Sequence, residues 1–218
     1  MRVAALLAAA VLIVGAAAAA APAPRFSADV ERVRWSEVRF SWRPGCPVGP
    51  PQLRVARVSY WGFDGRPHIG SVVVNHRVAA DVVTVFRRLY TARFPIRRLL
   101  PVSRYRGSDD ASMAADNTSG FNCRRVAGPS SGWSMHAHGL AIDVNPVENP
   151  YVVGRGARPR AGRAYVDRAR LRPGMAVSSG VLVRAFARIG WKWGGRWTTT
   201  RTTSTSRRPA RSRAGERR

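Results

Sequence analysis

Apolar and basic residues alternate from Leu53 to Tyr60 in the run LRVARVSY, and that period predicts a strand with Leu53, Val55 and Val58 turned inward. Asp64-Gly65 predicts a hairpin turn, with residues 69–75, IGSVVVN, as the returning strand. The period then changes. Apolar residues at 78, 79, 82, 83, 86, 89 and 90 predict a helix over Val78–Phe94, with His76 at its entry and Arg87, Arg88 and Arg93 off the apolar face. Phe94–Ile96 begins another extended segment. Residues 108–124, SDDASMAADNTSGFNCR, are rich in turn formers and predict no regular element, which leaves Asp109, Asp110, Asp116 and Asn117 as helix caps, loop solvators or binding residues, with spacing favouring the first two. Ile142 and Val144 around Asp143 predict a short strand that carries the carboxylate on one face. VNPVENPYV then reads as a Pro-interrupted loop and GRGARPRAGRAY as an exposed one. VLVRAFARIG predicts a second helix, with Ser178 or Ser179 as N-cap and Gly190 as its stop. Trp191, Trp193 and Trp197 alternate in an aromatic strand expected to flank a cleft or to fill the core.

Length and composition sharpen this. A chain of 218 residues allows one domain of ordinary size with a core of its own. Its first residues, MRVAALLAAAVLIVGAAAAAAPAP, have a basic start at Arg2, an apolar run and an Ala-rich end suited to signal peptidase. Residues 1–22 are therefore expected to be a signal peptide, and the protein to be secreted or held at the cell wall with no transmembrane segment after cleavage. The two cysteines, Cys46 and Cys123, fit an oxidising compartment and predict one disulfide, since neither stands in a metal-ligand spacing. The formal charge of +25 raises nucleic acid as a partner. Arginine accounts for every basic residue except Lys192, however, and it is spread along the chain rather than gathered on one element. Behind a signal peptide the expected anionic partners are wall polymers and lipid headgroups, and no specific nucleic acid is expected.

The candidate chemistry lies in SMHAHGLAID, Ser134 to Asp143. His136 and Asp143 supply imidazole nitrogen and carboxylate oxygen, both of which zinc takes at about 2.0–2.2 Å, while a catalytic zinc needs three protein ligands and a water. Gly139 lets the backbone bend between them, and Ala141 leaves space beside a metal. His138 is not expected to replace the absent donor, because the bend at Gly139 takes it off the face of His136. His68, alone in its turn, is expected to be solvated or hydrogen-bonded.

The pattern Ser-x-His-x-x-Gly-x-Ala-x-Asp, filled by Ser134, His136, Gly139, Ala141 and Asp143, resembles the signature of the D-alanyl-D-alanine carboxypeptidases, the VanY-like zinc peptidases. FNCR before it and VNP after it resemble one secreted subgroup, and the resemblance runs from about Arg43 to Trp197. It implies an α+β domain over residues 43–197, behind an extension at 23–42, in which a small antiparallel sheet carries one zinc ion and helices pack against it. The same fold is shared with hedgehog-type domains. It also implies hydrolysis of peptidoglycan stem peptides, with Arg124 holding a substrate carboxylate or oxyanion and Ser134 hydrogen-bonding beside it. The alternative is a catalytically dead wall-binding protein that uses its tryptophans and arginines.

The family's Asp-Tyr-Gln-His-Phe, which brings a base and a third ligand after W-G-G-x-W, is absent after WGGRW at Trp193 to Trp197. In GC-rich codons it reads GAC TAC CAG CAC TTC. Read one base late this gives Thr-Thr-Ser-Thr-Ser, which is Thr202, Thr203, Ser204, Thr205 and Ser206. Residues 198–218 are therefore expected to be an out-of-frame basic tail. With seven arginines and no aromatic residue they are expected to be disordered. With two ligands left, zinc affinity should be reduced and turnover low or absent.

Overall fold

The structure is a computed structural model that describes residues 24–126, 132–154, 156–196, 201–202 and 205–207. The hairpin is its frame. Strand β1 (Ala28–Arg32) pairs antiparallel with β2 (Leu53–Trp61), which pairs antiparallel with β3 (Pro67–Asn75), in the order β1-β2-β3. Val55 lies opposite Val73 and Val58 opposite Gly70. This sheet is covered on both faces. Ala56, Val58, Val72 and Val74 join one apolar cluster, while Leu53, Val55 and Val73 join another with Val38, Phe121 and Cys123. Val58 is thus buried, but on the face opposite Leu53 and Val55, because an odd spacing reverses the side chain's direction.

Between β1 and β2 lies the short helix α1 (Trp35–Val38). After β3 a 3-10 turn over His76–Val78, capped by the Asn75 side chain, leads into helix α2 (Ala79–Thr91). Its Val82, Val85, Phe86 and Leu89 pack into the first cluster. The helix stops three residues short of the Phe94 expected from the pattern. Arg93 takes a positive φ of 51° and the Phe94 N–H returns to the Leu89 carbonyl, a left-handed termination just before Pro95.

Next come β4 (Arg98–Leu99), helix α3 (Asp109–Ala114) and β5 (Asn117–Thr118), which pairs parallel with β4. Helix α3 corrects the expectation of an irregular 108–124. Ser108 Oγ accepts the Ala111 N–H and Asp109 and Asp110 occupy the first turn, so these polar residues are a helix start. Strands β6 (Ala141–Asp143), β7 (Tyr151–Val153) and β8 (Gly156–Arg158) follow, then helix α4 (Val181–Ala187) and β9 (Lys192–Trp193). The N-cap of α4 is Gly180, not Ser178 or Ser179, because the Gly180 N–H closes a turn onto Val177 that sets the first helical residue at Val181.

Within the segment expected to lack order, Arg201–Thr202 forms β10 beside β7, and Thr205–Arg207 forms β11 between β6 and β9. Strand pairing uses backbone groups, so it does not require the apolar side chains that the segment lacks. Among the described residues the class is a mixed α+β fold with small, mainly antiparallel sheets. Of the two places expected for the tryptophan run, Trp191 takes the core: it is 3% exposed and packs on Phe186. Trp193 is half-buried, and Trp197 lies outside the described residues. The disulfide joins Cys46 to Cys123 across 77 residues. Among the described residues no helix is long and apolar enough to cross a membrane; the expected signal peptide lies outside them.

Candidate functional site

The end of β3 holds the site together. Gly120 lies so close to β3 that a Cβ would stand 2.3 Å from the Val73 carbonyl oxygen. Gly139, at φ +65°, would put a Cβ 2.6 Å from the Asn75 nitrogen. The Phe121 N–H donates to Val73 O and the Asn75 N–H to Gly139 O. Two separate segments are therefore docked on one strand, with β6 between them. Ser119 and Asp143 exchange both backbone hydrogen bonds at 2.9 Å.

This arrangement brings His136 and Asp143 together. His136 sits in a 3-10 turn over Met135–His138 rather than in an extended run. The turn is capped by Ser134, whose Oγ accepts the His136 N–H at 3.3 Å. The imidazole Nδ1–H donates to Gly120 O at 2.6 Å, which leaves Nε2 facing Asp143 Oδ2 at 3.1 Å. The residues are 4% and 6% exposed. Burial alone lowers the proton affinity of His136, but the adjacent Asp143 carboxylate outweighs it and the net displacement is upward. Two lone-pair donors thus converge on one point, which is the geometry a cation or a proton fills. His138 is half-buried, and that burial lowers its pKa.

Arg124 lies beside the pair. Its backbone carbonyl accepts the Ser134 N–H at 3.1 Å, and its Nε is 3.1 Å from Asp109 Oδ2. Arg124 lowers the proton affinity of His136 and Asp109 raises it, so both act on the same centre. Arg124, Ser134, His136 and Asp143, picked from sequence, are therefore neighbours. A third metal donor is not among them: no group of three His, Cys, Asp or Glu able to hold a metal occurs among the described residues. His68 is hydrogen-bonded to Asp64 at 3.0 Å and stacked on Tyr60.

Sequence reasoning missed the buried polar scaffold behind Asp143. Asn145 donates to Pro95 O and Gly174 O and accepts from the Arg97 N–H; Asn149 donates to Val144 O and accepts from Ala176 N–H and Arg168. The Pro-interrupted loop is thus an interior strut, which its density of asparagines could have signalled. Glu148 lies within it, with a side chain 2% exposed beside Asp116. Burial, with the Asp116 carboxylate adding to it, pushes the Glu148 carboxyl up to about 8.

Compared with known proteins, residues 127–203 match a family model described as D-alanyl-D-alanine carboxypeptidase. No curated protein and no solved structure matches the chain. The matched stretch contains Ser134, His136 and Asp143, begins after Arg124 and ends before Thr205. The family is one of metallopeptidases that depend in general on zinc.

Proposed function

We propose that this chain is the scaffold of an exported zinc peptidase of peptidoglycan stem peptides, in which His136 and Asp143 are two metal ligands and Arg124 and Ser134 flank the substrate. The observation that carries the reading is the convergence of His136 Nε2 and Asp143 Oδ2 at 3.1 Å inside the stretch that matches the carboxypeptidase model. The Nδ1–H bond to Gly120 supports it, because a carbonyl behind the ring fixes the tautomer that frees Nε2 for a metal. The disulfide supports export. Arg124 offers a guanidinium to a terminal carboxylate or an oxyanion.

The residues present do not complete the metal's cage. Three protein donors are needed for a catalytic zinc and the described residues bring two, so no hydrolytic step is assigned to the chain as it stands. The backbone register supports the frameshift reading: Thr205, which stands where the family's histidine would fall, is the Cα partner of Asp143.

Zinc titration of the full chain tests this. Thr202→Asp with Thr205→His should tighten zinc binding by roughly 100-fold over the unaltered chain, and adding His136→Ala should abolish the gain. Equal zinc affinity with and without the two substitutions would overturn the register; a gain that survives His136→Ala would overturn the site. The absent donor also favours a second reading, a wall-binding protein without turnover. Retention of the metal-free chain on isolated cell wall would support that one, whereas the coding DNA read in the neighbouring frame should show Asp-Tyr-Gln-His-Phe if the first holds.

A further inference from the structure

Arg124 is held from one side. Its Nε is buried from solvent and 3.1 Å from Asp109 Oδ2, although its N–H is not aligned on that oxygen, so the contact is an ion pair rather than a directed hydrogen bond. The side chains are 28% and 27% exposed, so the accessible part of the arginine lies away from Nε. Among the described residues Asp109 is the one carboxylate within ion-pair distance of this guanidinium, and its two Nη groups have no acceptor.

Asp109 is itself fixed. Its Oδ1 accepts from Asn122 Nδ2 at 3.4 Å, and the same amide donates to Gly107 O at 3.4 Å. Asn122 is buried, and its backbone N–H donates to His136 O at 3.2 Å. The contact thus runs from the start of α3 through Asn122 to the turn that carries His136. Cys123, between Asn122 and Arg124, is tied to Cys46 and donates its N–H to Ser41 O. Arg124 therefore leaves a backbone pinned on both sides, and the direction of its long side chain is the remaining freedom.

From this we infer that Asp109 is a positioning residue, which grips the Nε edge of Arg124 and leaves the Nη edge to take the terminal carboxylate of a peptide. The inference rests on the proposed role of Arg124 and adds a preference to it. A planar guanidinium has two usable edges, and occupying one inside the protein orients the other. The site should then favour a peptide that ends in a free carboxylate over its amide. Without Asp109 the arginine swings through its rotamers, and that preference shrinks.

Calorimetric binding of D-alanyl-D-alanine and its C-terminal amide to the full chain reads this without turnover. The unaltered chain should prefer the acid; Asp109→Asn should lower that preference by about threefold to fivefold, the scale of a partly exposed ion pair, and Asp109→Glu should restore part of it. Asp109→Ser, which keeps an oxygen at the start of α3, carries the same expectation if the asparagine variant does not fold. An acid-over-amide ratio unchanged in these variants overturns the role of Asp109 alone. No preference in the unaltered chain overturns the role proposed for Arg124, and this inference with it.

Discussion

Replacing Glu148 by glutamine should make this protein more stable at alkaline pH. The carboxyl side chain is 2% exposed, its Oε2 has no hydrogen-bond donor among the described residues, and Arg97 Nη2 is 3.9 Å from Oε1. Arg97 is itself half in solvent and stacked on Phe63, so it offsets little of the burial. A carboxyl raised from 4.5 to about 8 keeps its proton in the folded state over a range in which the unfolded chain has lost it. Across that range the folded state binds more protons than the unfolded one, so stability falls as pH rises. At about 1.36 kcal/mol per pH unit, the loss between pH 4.5 and pH 8 amounts to roughly 4–5 kcal/mol. That is a large part of the ~5–15 kcal/mol typical of a domain.

Glutamine keeps the shape and offers Asp116 an amide donor, with no proton to lose. His136, raised as well, also loses its contribution as pH rises through its folded value, so the informative quantity is the difference between the unaltered chain and Glu148→Gln. Urea unfolding followed by tryptophan fluorescence at pH 5, 6, 7 and 8 measures it. The two proteins should be similar at pH 5, and the variant should lead by several kcal/mol at pH 8. Parallel stability curves would refute the reasoning, since they would mean that Glu148 ionises as readily in the folded state as in the unfolded.

Two further outcomes follow from the frame. Gly139→Ala forces a side chain into a positive-φ position with its Cβ 2.6 Å from the Asn75 nitrogen, so it should cost about 1–3 kcal/mol in urea unfolding and move the His136 ring resonances in NMR spectra. Reducing the Cys46–Cys123 bond, or replacing both by serine, opens a 77-residue loop and should lower stability by about 4–5 kcal/mol in the chain-entropy account, read as a shift of the urea midpoint with and without reductant.

The chain's own order of residues was enough for the hairpin and for helix α2, because a period of two or of 3.6 is a local property that needs no partner to be seen. It was also enough to single out His136 and Asp143 as candidates, and the fold brings their side chains within 3.1 Å of each other. What lay beyond it was every feature made by contact between distant segments. The sheet β1-β2-β3 is buried on both faces, so Val58 and Val55 serve opposite clusters, and no alternation announces that. Asn145, Asn149 and Glu148 read as loop polarity until the fold closed over them and made each one answer for a buried hydrogen bond or a retained proton. Asp109 reads as a helix-start residue, and it stands in the first turn of α3 behind the Ser108 cap, but its carboxylate meets Arg124 only because α3 and residues 122–124 are packed side by side. The pairing of Thr205 with Asp143 is of the same kind, since a register between strands 62 residues apart is set by the sheet that receives them and by neither sequence alone.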